Sequence, residues 1–170
     1  FINSNLKVAS ETGDASSASS FAIDVAGFFQ SEEVAYNDFN GRWRAGFNIQ
    51  NLGPKISYDN TEFSNNFLPA NLKVGTGFDF ILDDYNKVAL NVEFNKLLVP
   101  TPQDPDLNGD GDITTEERAQ NNEDYRSIGW FSGVFQSFSD APGGFSEELK
   151  EITYSVGAEY LYQDSFSMRM

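Results

Sequence analysis

The sequence contains no cysteine and no histidine, and these two absences exclude several kinds of chemistry. Without cysteine, neither a disulfide nor a thiolate metal site can form. Without histidine, the chain lacks the usual zinc ligand, the usual general base, and the partner that activates a nucleophilic serine or cysteine. We therefore predict that the chain is not an enzyme.

Basic residues and long apolar runs are also scarce. Eleven lysines and arginines face twenty-six aspartates and glutamates, which gives a net charge of -15 and a pI near 4.1. Such a chain repels phosphates, so we expect no nucleic-acid partner. No run of eighteen apolar residues occurs, and the mean hydropathy is -0.43, which excludes a transmembrane helix but leaves a transmembrane barrel open.

The chain has no initiator methionine at Phe1 and no signal peptide, and it stops at Met170 inside an alternating segment. We therefore expect it to be an internal piece of a longer protein.

The clearest pattern is a hairpin over residues 71–96, in which apolar and polar residues alternate with a period of two. Asp83 and Asn86 supply turn chemistry between its arms. Each arm is about ten residues long, which suits a tilted strand that crosses a bilayer. A half-buried soluble strand alternates in the same way. We expect the apolar face, which includes Val74, Phe78 and Leu90, to face lipid.

Other alternating segments predict an all-β chain with about seven strands: near residues 1–8, 21–26, 43–50, 72–80, 88–94, 152–160 and 166–170. Turns near Asp84 and Asp164 are short, whereas the connections over 51–69 and 98–150 are long. This asymmetry is typical of outer-membrane barrels. We therefore predict one domain over 1–170: an incomplete transmembrane antiparallel β-barrel with long outer loops. Its missing strands would come from the rest of the protein, because open edges in lipid are costly.

One face of these strands carries charges that we expect to line a lumen. Inward arginines would bind an anion or pair with acids such as Asp24, and pairing inside a wet barrel is the favoured reading. The predicted lumen-facing residues are Arg42, Arg44, Lys73, Asp79, Glu93 and Glu159.

The sharpest motif is a twelve-residue calcium loop over residues 106–117, inside the long outer loop 98–150. Oxygen ligands occupy its constrained positions, and Gly111 stands where the loop must turn sharply. The alternative is a solvated acidic loop. We predict one structural calcium ion, bound by Asp106, Asn108, Asp110, Asp112, Thr114 and Glu117.

The same long loop is dense in aromatic residues, which either pack as a lid over a barrel mouth or present a binding surface. A short capped helical turn is predicted over 146–150. If the aromatics form a binding surface, the candidate partner contacts are Phe131, Phe135, Phe138, Pro142 and Phe145.

Three stretches, NLGPKISYD over 51–59, FLPANLKVGTGFDF over 67–80 and SFSDAPGGFSEELKEITYSVGAEYLY over 137–162, closely resemble the PorV family of Bacteroidetes. The resemblance implies a FadL-like outer-membrane β-barrel of the type IX secretion system. It implies binding to the translocon barrel subunit and to the C-terminal signal domains of cargo, and delivery to a sortase-like attachment complex. The calcium-type loop resembles a local insertion. A lipopolysaccharide deacylase activity linked to some members is not carried over, because no catalytic set is recognisable.

The sequence leaves three alternative functions open. The leading one is a non-enzymatic cargo-binding and shuttling component of a secretion machine in the bacterial outer membrane, in contact with the lipid bilayer. The alternative is a FadL-like outer-membrane transporter of hydrophobic small molecules. The third is a soluble calcium-binding β protein.

Overall fold

The computed structural model describes residues 1–6, 16–58 and 65–170, which form two compact units. The mixed unit comprises Phe1–Asp24, Gln50–Asn71 and Leu97–Glu151. The sheet unit comprises Val25–Ile49, Leu72–Lys96 and Ile152–Met170. The end of the strand predicted over 1–8 and part of the connection predicted over 51–69 lie outside the described residues.

Within those ranges the strands are short near the N-terminus and long in the sheet unit. They are β1 (Ile2–Leu6), β2 (Ser16–Ser20), β3 (Ile23–Gln30), β4 (Val34–Ala35), β5 (Asn40–Leu52), β6 (Ile56–Ser57), β7 (Asn65–Asn66), β8 (Asn71–Ile81), β9 (Asn86–Leu97), β10 (Thr153–Tyr162) and β11 (Phe166–Arg169). The helices are α1 (Thr115–Ser127), α2 (Trp130–Gln136) and α3 (Phe145–Glu148), and a 3₁₀ turn follows over Leu149–Glu151.

The largest element is a seven-stranded antiparallel sheet with the order β11-β10-β9-β8-β5-β3, in which β4 also pairs with β5. The register of β10 on β9 places Val156 opposite Val92 and Ala158 opposite Leu90. Like faces therefore meet like faces, as the pleat requires. The all-β prediction is confirmed at this level, as an antiparallel sheet.

The turn between β8 and β9 forms as its sequence predicts. Asp83 Oδ1 accepts hydrogen bonds from the backbone N–H groups of Tyr85 and Asn86, each at 2.8 Å. Leu82 N donates to Asn86 O at 3.0 Å and closes the hairpin. The Asn86 side chain also donates to Asp83. The hydrogen bonds that Asp83 accepts, with the one from the Asn86 side chain contributing most, lower its pKa below the ordinary value.

The mixed unit has a small core of its own. Ala18, Ile56 and Leu68 are buried together. Nearby, Ser20 Oγ donates to Pro54 O at 3.0 Å, which ties the β1–β2 hairpin to the segment that leads into β6. The first predicted strand therefore pairs with β2 in a separate two-stranded sheet and not with the large sheet.

The connection predicted as a loop over 98–150 contains three helices. Thr114 caps α1, since Glu117 N donates to Thr114 Oγ1 and Thr114 N donates to Glu117 Oε2. The run after this cap is rich in Glu, Arg, Ala and Gln, which favour a helix. The predicted helical turn at 146–150 overlaps α3 and the 3₁₀ turn.

Two shorter connections also contain strands that their sequences did not predict. Strand β4 lies in the connection after β3, and the β6–β7 hairpin lies in the connection after β5. Among the described residues, no helix has the length and apolar character needed to cross a membrane.

Gly53 is a position where packing demands glycine. A Cβ at Gly53 would lie 2.0 Å from the carbonyl oxygen of Phe21, which is backbone and cannot rotate away. We expect Gly53→Ala to destabilise the chain by about 1–3 kcal/mol, as overpacking typically does. At Gly75 the nearest atom would be Val92 O at 3.5 Å, an ordinary contact, so Gly75→Ala is the matched control. Denaturant midpoints measure both, and equal midpoints would contradict the expectation.

Candidate functional site

The polar face of the sheet unit is organised by Arg44. Its Nη2 lies 2.6 Å from Asp79 Oδ1 and donates to Asn91 Oδ1 at 3.1 Å. Arg42 lies 3.6 Å from Glu33, a partner that the sequence did not predict because it belongs to the connection before β5. Arg44 thus links β5 to the neighbouring strand β8, whereas Arg42 contacts the connection that leads into β5.

The other predicted charges on this face are placed differently. Glu159 pairs with Arg169 at 2.7 Å. Lys73 and Glu93 have no ion-pair partner among the described residues, and both line an open cavity of about 720 Å³. Four glycines, which add no side-chain volume, belong to the cavity lining: Gly27, Gly46, Gly75 and Gly77.

Amide side chains complete the polar face. Asn48 Oδ1, Asn71 Oδ1 and Asn95 Oδ1 are buried atoms without a protein hydrogen-bond partner, as are the Nε atoms of Arg42 and Arg44. All five belong to residues on the polar face of β5, β8 or β9. Such atoms are costly against an apolar layer and are ordinary beside water. The period-two pattern contains these asparagines, and reading the amides as well as the charges would have found them.

The opposite face of the sheet unit is apolar and exposed. Val156 is 70% exposed and Tyr154 is 73% exposed; both belong to β10, which pairs with β9 at these positions, whereas β11 pairs with β10 only over residues 159–162. Val74, Leu90 and Phe94 on the neighbouring strands are also exposed. An apolar surface of this extent on a folded sheet marks contact with a membrane or another protein.

The calcium-type loop folds tightly through its own side chains. Asp106 accepts from the N–H of Gly109 at 2.7 Å and of Gly111 at 2.9 Å, and both glycines have positive φ, at 77° and 86°. Asn108 Oδ1 accepts from Asp110 N at 2.8 Å, and Asp110 Oδ1 accepts from Asp112 N at 2.8 Å. Only glycine adopts such φ values at little cost.

Glu117 is the last residue of this loop, and only one of its two carboxylate oxygens accepts hydrogen bonds. Its Oε2 accepts from Thr114 N and Thr114 Oγ1, whereas its Oε1 is buried without a hydrogen-bond partner. Among the described residues, no three acidic side chains converge as the ligands of a bound ion do. Asp106 and Glu117 would therefore have to rotate toward a shared centre for an ion to be held.

The predicted aromatic contacts gather around α2. Gly133 of α2 packs against Pro100 and Phe67, where a Cβ would come within 2.8 Å and 2.9 Å of their atoms. The opposite side of the helix is exposed: Phe131 is 61% and Phe135 is 63% exposed, with ring centroids 5.2 Å apart. Phe138 and Phe145 are also exposed, and Pro142 lines a separate cavity. We call the exposed rings of Trp130, Phe131 and Phe135 the α2 ridge.

A carboxylate at Asp140, which the sequence did not single out, fastens this segment. Thr101 N donates to Asp140 Oδ2 at 2.9 Å, and Thr101 Oγ1 donates to Glu151 Oε1 at 2.7 Å. Burial, helped by the negative charge of Glu148, raises the pKa of Asp140. Burial and the nearby Asp140 also raise the pKa of Tyr125, whose hydroxyl donates to Pro100 O.

Comparison with known protein families decides the relationship that the sheet and its sequence suggest. The family model described as type IX secretion system protein PorV matches residues 1–104, which is more than half of the chain. The chain belongs to the PorV family. The resemblance predicted from residues 51–59 and 67–80 is thus confirmed, while the stretch over 137–162 lies outside the matched residues.

Membership of the PorV family connects the chain with the type IX secretion system and its components, and PorV proteins are in general outer-membrane components. A search of curated proteins found no match. The matched residues end at Asp104, just before the calcium-type loop, and include strands β1 to β9.

Asp140 gives the mixed unit a testable pH dependence. Because its pKa is raised above the ordinary value of 3.8, the charged form opposes folding at neutral pH, and this penalty fades as pH falls through the folded-state pKa. We expect Asp140→Asn to raise the denaturant midpoint at neutral pH and to lose this advantage toward pH 4. In a Trp43→Phe background, the fluorescence of Trp130 reports unfolding of the mixed unit.

Asp124→Asn is the matched control, since it removes one charge from the same cavity without touching Thr101. An Asp140→Asn midpoint below that of the parent at neutral pH would contradict the assigned cause.

Proposed function

We propose that this PorV-family chain is part of an outer-membrane β-barrel that binds the type IX translocon and the signal domains of secreted cargo. It would pass cargo to the surface attachment complex and would perform no catalysis itself. The family match over residues 1–104 carries this proposal. The exposed apolar face of the sheet, formed by residues such as Val156 and Leu90, supports the membrane location.

The physical reason for the membrane location is the alternation of the two faces. Arg44, Asp79 and Asn91 form a polar network on one face, while apolar side chains of the other face such as Val74, Leu90 and Val156 are exposed. Lipid-facing and lumen-facing residues alternate in this way in transmembrane barrels. Strands of ten to thirteen residues in β5, β8, β9 and β10 are long enough to cross the hydrocarbon when tilted.

The α2 ridge is the surface that we assign to partner binding. Its rings are held on a helix whose other side is packed through Gly133, so their exposure is a property of a fixed surface. Rigid aromatic side chains with large exposed area are typical anchors of protein interfaces. Phe138, Pro142 and Phe145 extend the candidate contact region along the same segment. The translocon barrel subunit or a cargo signal domain is the proposed occupant.

Binding through the α2 ridge predicts a selective loss. Phe131→Ser combined with Phe135→Ser should lower the affinity for the translocon or for cargo at least about tenfold, since aromatic anchors contribute about 2 kcal/mol or more. Copurification and quantitative binding of tagged full-length protein measure this. The control is Ser132→Ala combined with Gln136→Ala, which changes the same helix without removing aromatic area.

Secretion itself supplies the wider test. Deletion of the gene should stop the release of cargo while fatty-acid uptake stays intact. Normal secretion in the deletion strain would refute the proposal, and a specific loss of uptake would favour the transporter alternative.

The FadL-like transporter is the second candidate, and the cavity of about 720 Å³ on the polar face favours it. Its lining includes Arg44, Lys73 and Glu93, so the surface is charged where a hydrophobic ligand would need apolar walls. The secretion role is therefore preferred.

We also propose that the loop over 106–117 binds one calcium ion. The buried and unpaired Oε1 of Glu117 supports the proposal, together with the positive φ of Gly111 at the sixth position. Side chains of Asp106, Asn108 and Asp110, the carbonyl of Asp112, a contact at Thr114 and both oxygens of Glu117 would hold the ion. It would supply charge neutralisation to a segment with many carboxylates.

Calcium should order this loop measurably. We expect millimolar calcium to slow proteolysis within residues 104–127, with an apparent Kd of about 10⁻⁴ to 10⁻³ M for a single structural site. Asp106→Ala with Glu117→Ala should abolish the effect. Glu116→Ala with Glu123→Ala removes the same charge from neighbouring positions and should retain it. Equal cleavage with calcium and with chelator would refute the site.

A further inference from the structure

The cavity of about 720 Å³ on the polar face is lined entirely by residues of the sheet unit. Its volume falls within the range of about 300–1,000 Å³ that small-molecule sites occupy. Phe28, Lys73 and Glu93 contribute large side chains to its lining, whereas Gly46 and Gly75 contribute none. We call this cavity the polar-face pocket.

The register of β3 on β5 brings an aromatic ring to one side of the pocket. Ser31 N donates to Trp43 O at 2.9 Å, which sets Phe28 opposite Gly46. A Cβ at Gly46 would lie 3.6 Å from the Phe28 ring, so the ring stands beside this glycine on the polar face. Phe28 is 71% exposed. An apolar ring is thus available to a ligand on a face that carries charges and amides.

The register of β8 on β9 brings two opposite charges to the other side of the pocket. Leu82 N donates to Asn86 O at 3.0 Å, which sets Gly75 opposite Glu93. Lys73 is therefore a diagonal neighbour of Glu93, at the distance of about 7–8 Å that is typical of such positions. A cation and a carboxylate thus stand close together beside a glycine.

Neither of these two charges is satisfied by the protein. Within residues 1–6, 16–58 and 65–170, Lys73 and Glu93 have no ion-pair partner and no hydrogen bond. The lining also contains Asn48 Oδ1 and Arg44 Nε, a buried acceptor and a buried donor without a protein partner. A ligand of one sign would be attracted by one charge and repelled by the other. A molecule that carries both signs satisfies both.

The spacings across the pocket indicate the size of such a molecule. An extended dipeptide spans at most about 7 Å, which matches the diagonal separation of Lys73 and Glu93. Strand β5 lies one strand spacing from β8, about 4.8 Å, which an aromatic side chain of the ligand can cross. Glycine in a strand allows a ligand to approach the backbone closely, and Gly46 and Gly75 provide this access.

We propose that the polar-face pocket binds a small zwitterion with a large apolar group, of the size of a dipeptide. The ammonium group of the ligand pairs with Glu93, and its carboxylate pairs with Lys73. Its apolar side chain crosses Gly46 and contacts the ring of Phe28. A fatty acid lacks the ammonium group, and an internal polypeptide segment lacks both charged termini. This site goes beyond the secretion role and does not depend on it.

Three related peptides test the two ion pairs by calorimetric titration of the full-length protein in detergent. The probe is Ala-Phe, and its capped forms are N-acetyl-Ala-Phe, without the ammonium group, and Ala-Phe amide, without the carboxylate. We expect Ala-Phe to bind saturably and each cap to weaken binding at least about tenfold, because each removes one charge-assisted contact.

Variants assign each contact to its residue. Glu93→Gln should bind Ala-Phe and its acetylated form within about twofold of each other, since the partner of the ammonium group is gone. Lys73→Met should do the same for Ala-Phe and its amide. Glu159→Gln is the matched control, because Glu159 lies on the same face outside the pocket lining, and it should bind all three peptides as the parent does.

A steric variant tests the path across the glycines without changing a charge. A Cβ at Gly75 would lie 3.5 Å from Val92 O, an ordinary contact, so Gly75→Val is expected to fold and to weaken Ala-Phe binding. An unchanged denaturant midpoint shows that this variant folds. Parental affinity in Gly75→Val would overturn the placement of the ligand.

The remaining outcomes also decide the proposal. The site is overturned if Ala-Phe shows no saturable binding at millimolar concentration. It is equally overturned if the free and capped peptides bind alike, because the two charges would then recognise nothing, and an internal polypeptide segment would fit the pocket better. The secretion role is measured by cargo release and stands in either case.

Discussion

The ion pair between Arg44 and Asp79 fixes which face of the sheet is polar, and the rest of the sheet unit depends on it. Because side chains alternate with a period of two, a one-residue slip of β5 or β8 would move one of these charges to the apolar face. At the middle of a bilayer an exposed arginine costs about 2–4 kcal/mol. The pair therefore selects one register, and the apolar face follows from it.

Negative charge is distributed unevenly along the chain and is concentrated in the segment that contains the helices. Residues 101–151 contain twelve acidic and three basic side chains, so they carry nine of the fifteen net negative charges. The sheet unit has nine acidic and six basic side chains, many of them paired. Mutual repulsion therefore acts mainly on the segment with the helices. Its burial of Asp140 beside Glu148 adds to that repulsion.

The sequence predicts the large sheet well because both faces and the Asp83 turn leave local signals of period two. It does not predict α1, which has no apolar stripe and no buried residue, so a helical period is absent from the pattern. The β1–β2 hairpin is rich in serine and alanine and forms through contacts such as Ser20 with Pro54. The contact between Thr101 and Asp140 joins residues far apart in the chain, which no local pattern reveals.

Glu117 shows why one motif supports two structural readings. It is the last position of the calcium-type loop and also the third residue of α1, where it completes the cap with Thr114. Bidentate binding of an ion needs both carboxylate oxygens, whereas the cap uses only Oε2 and leaves Oε1 unpaired. An ion at the loop would therefore share this side chain with the first turn of α1. Calcium affinity and the stability of α1 are then coupled through a single residue, since each constrains the same rotamer.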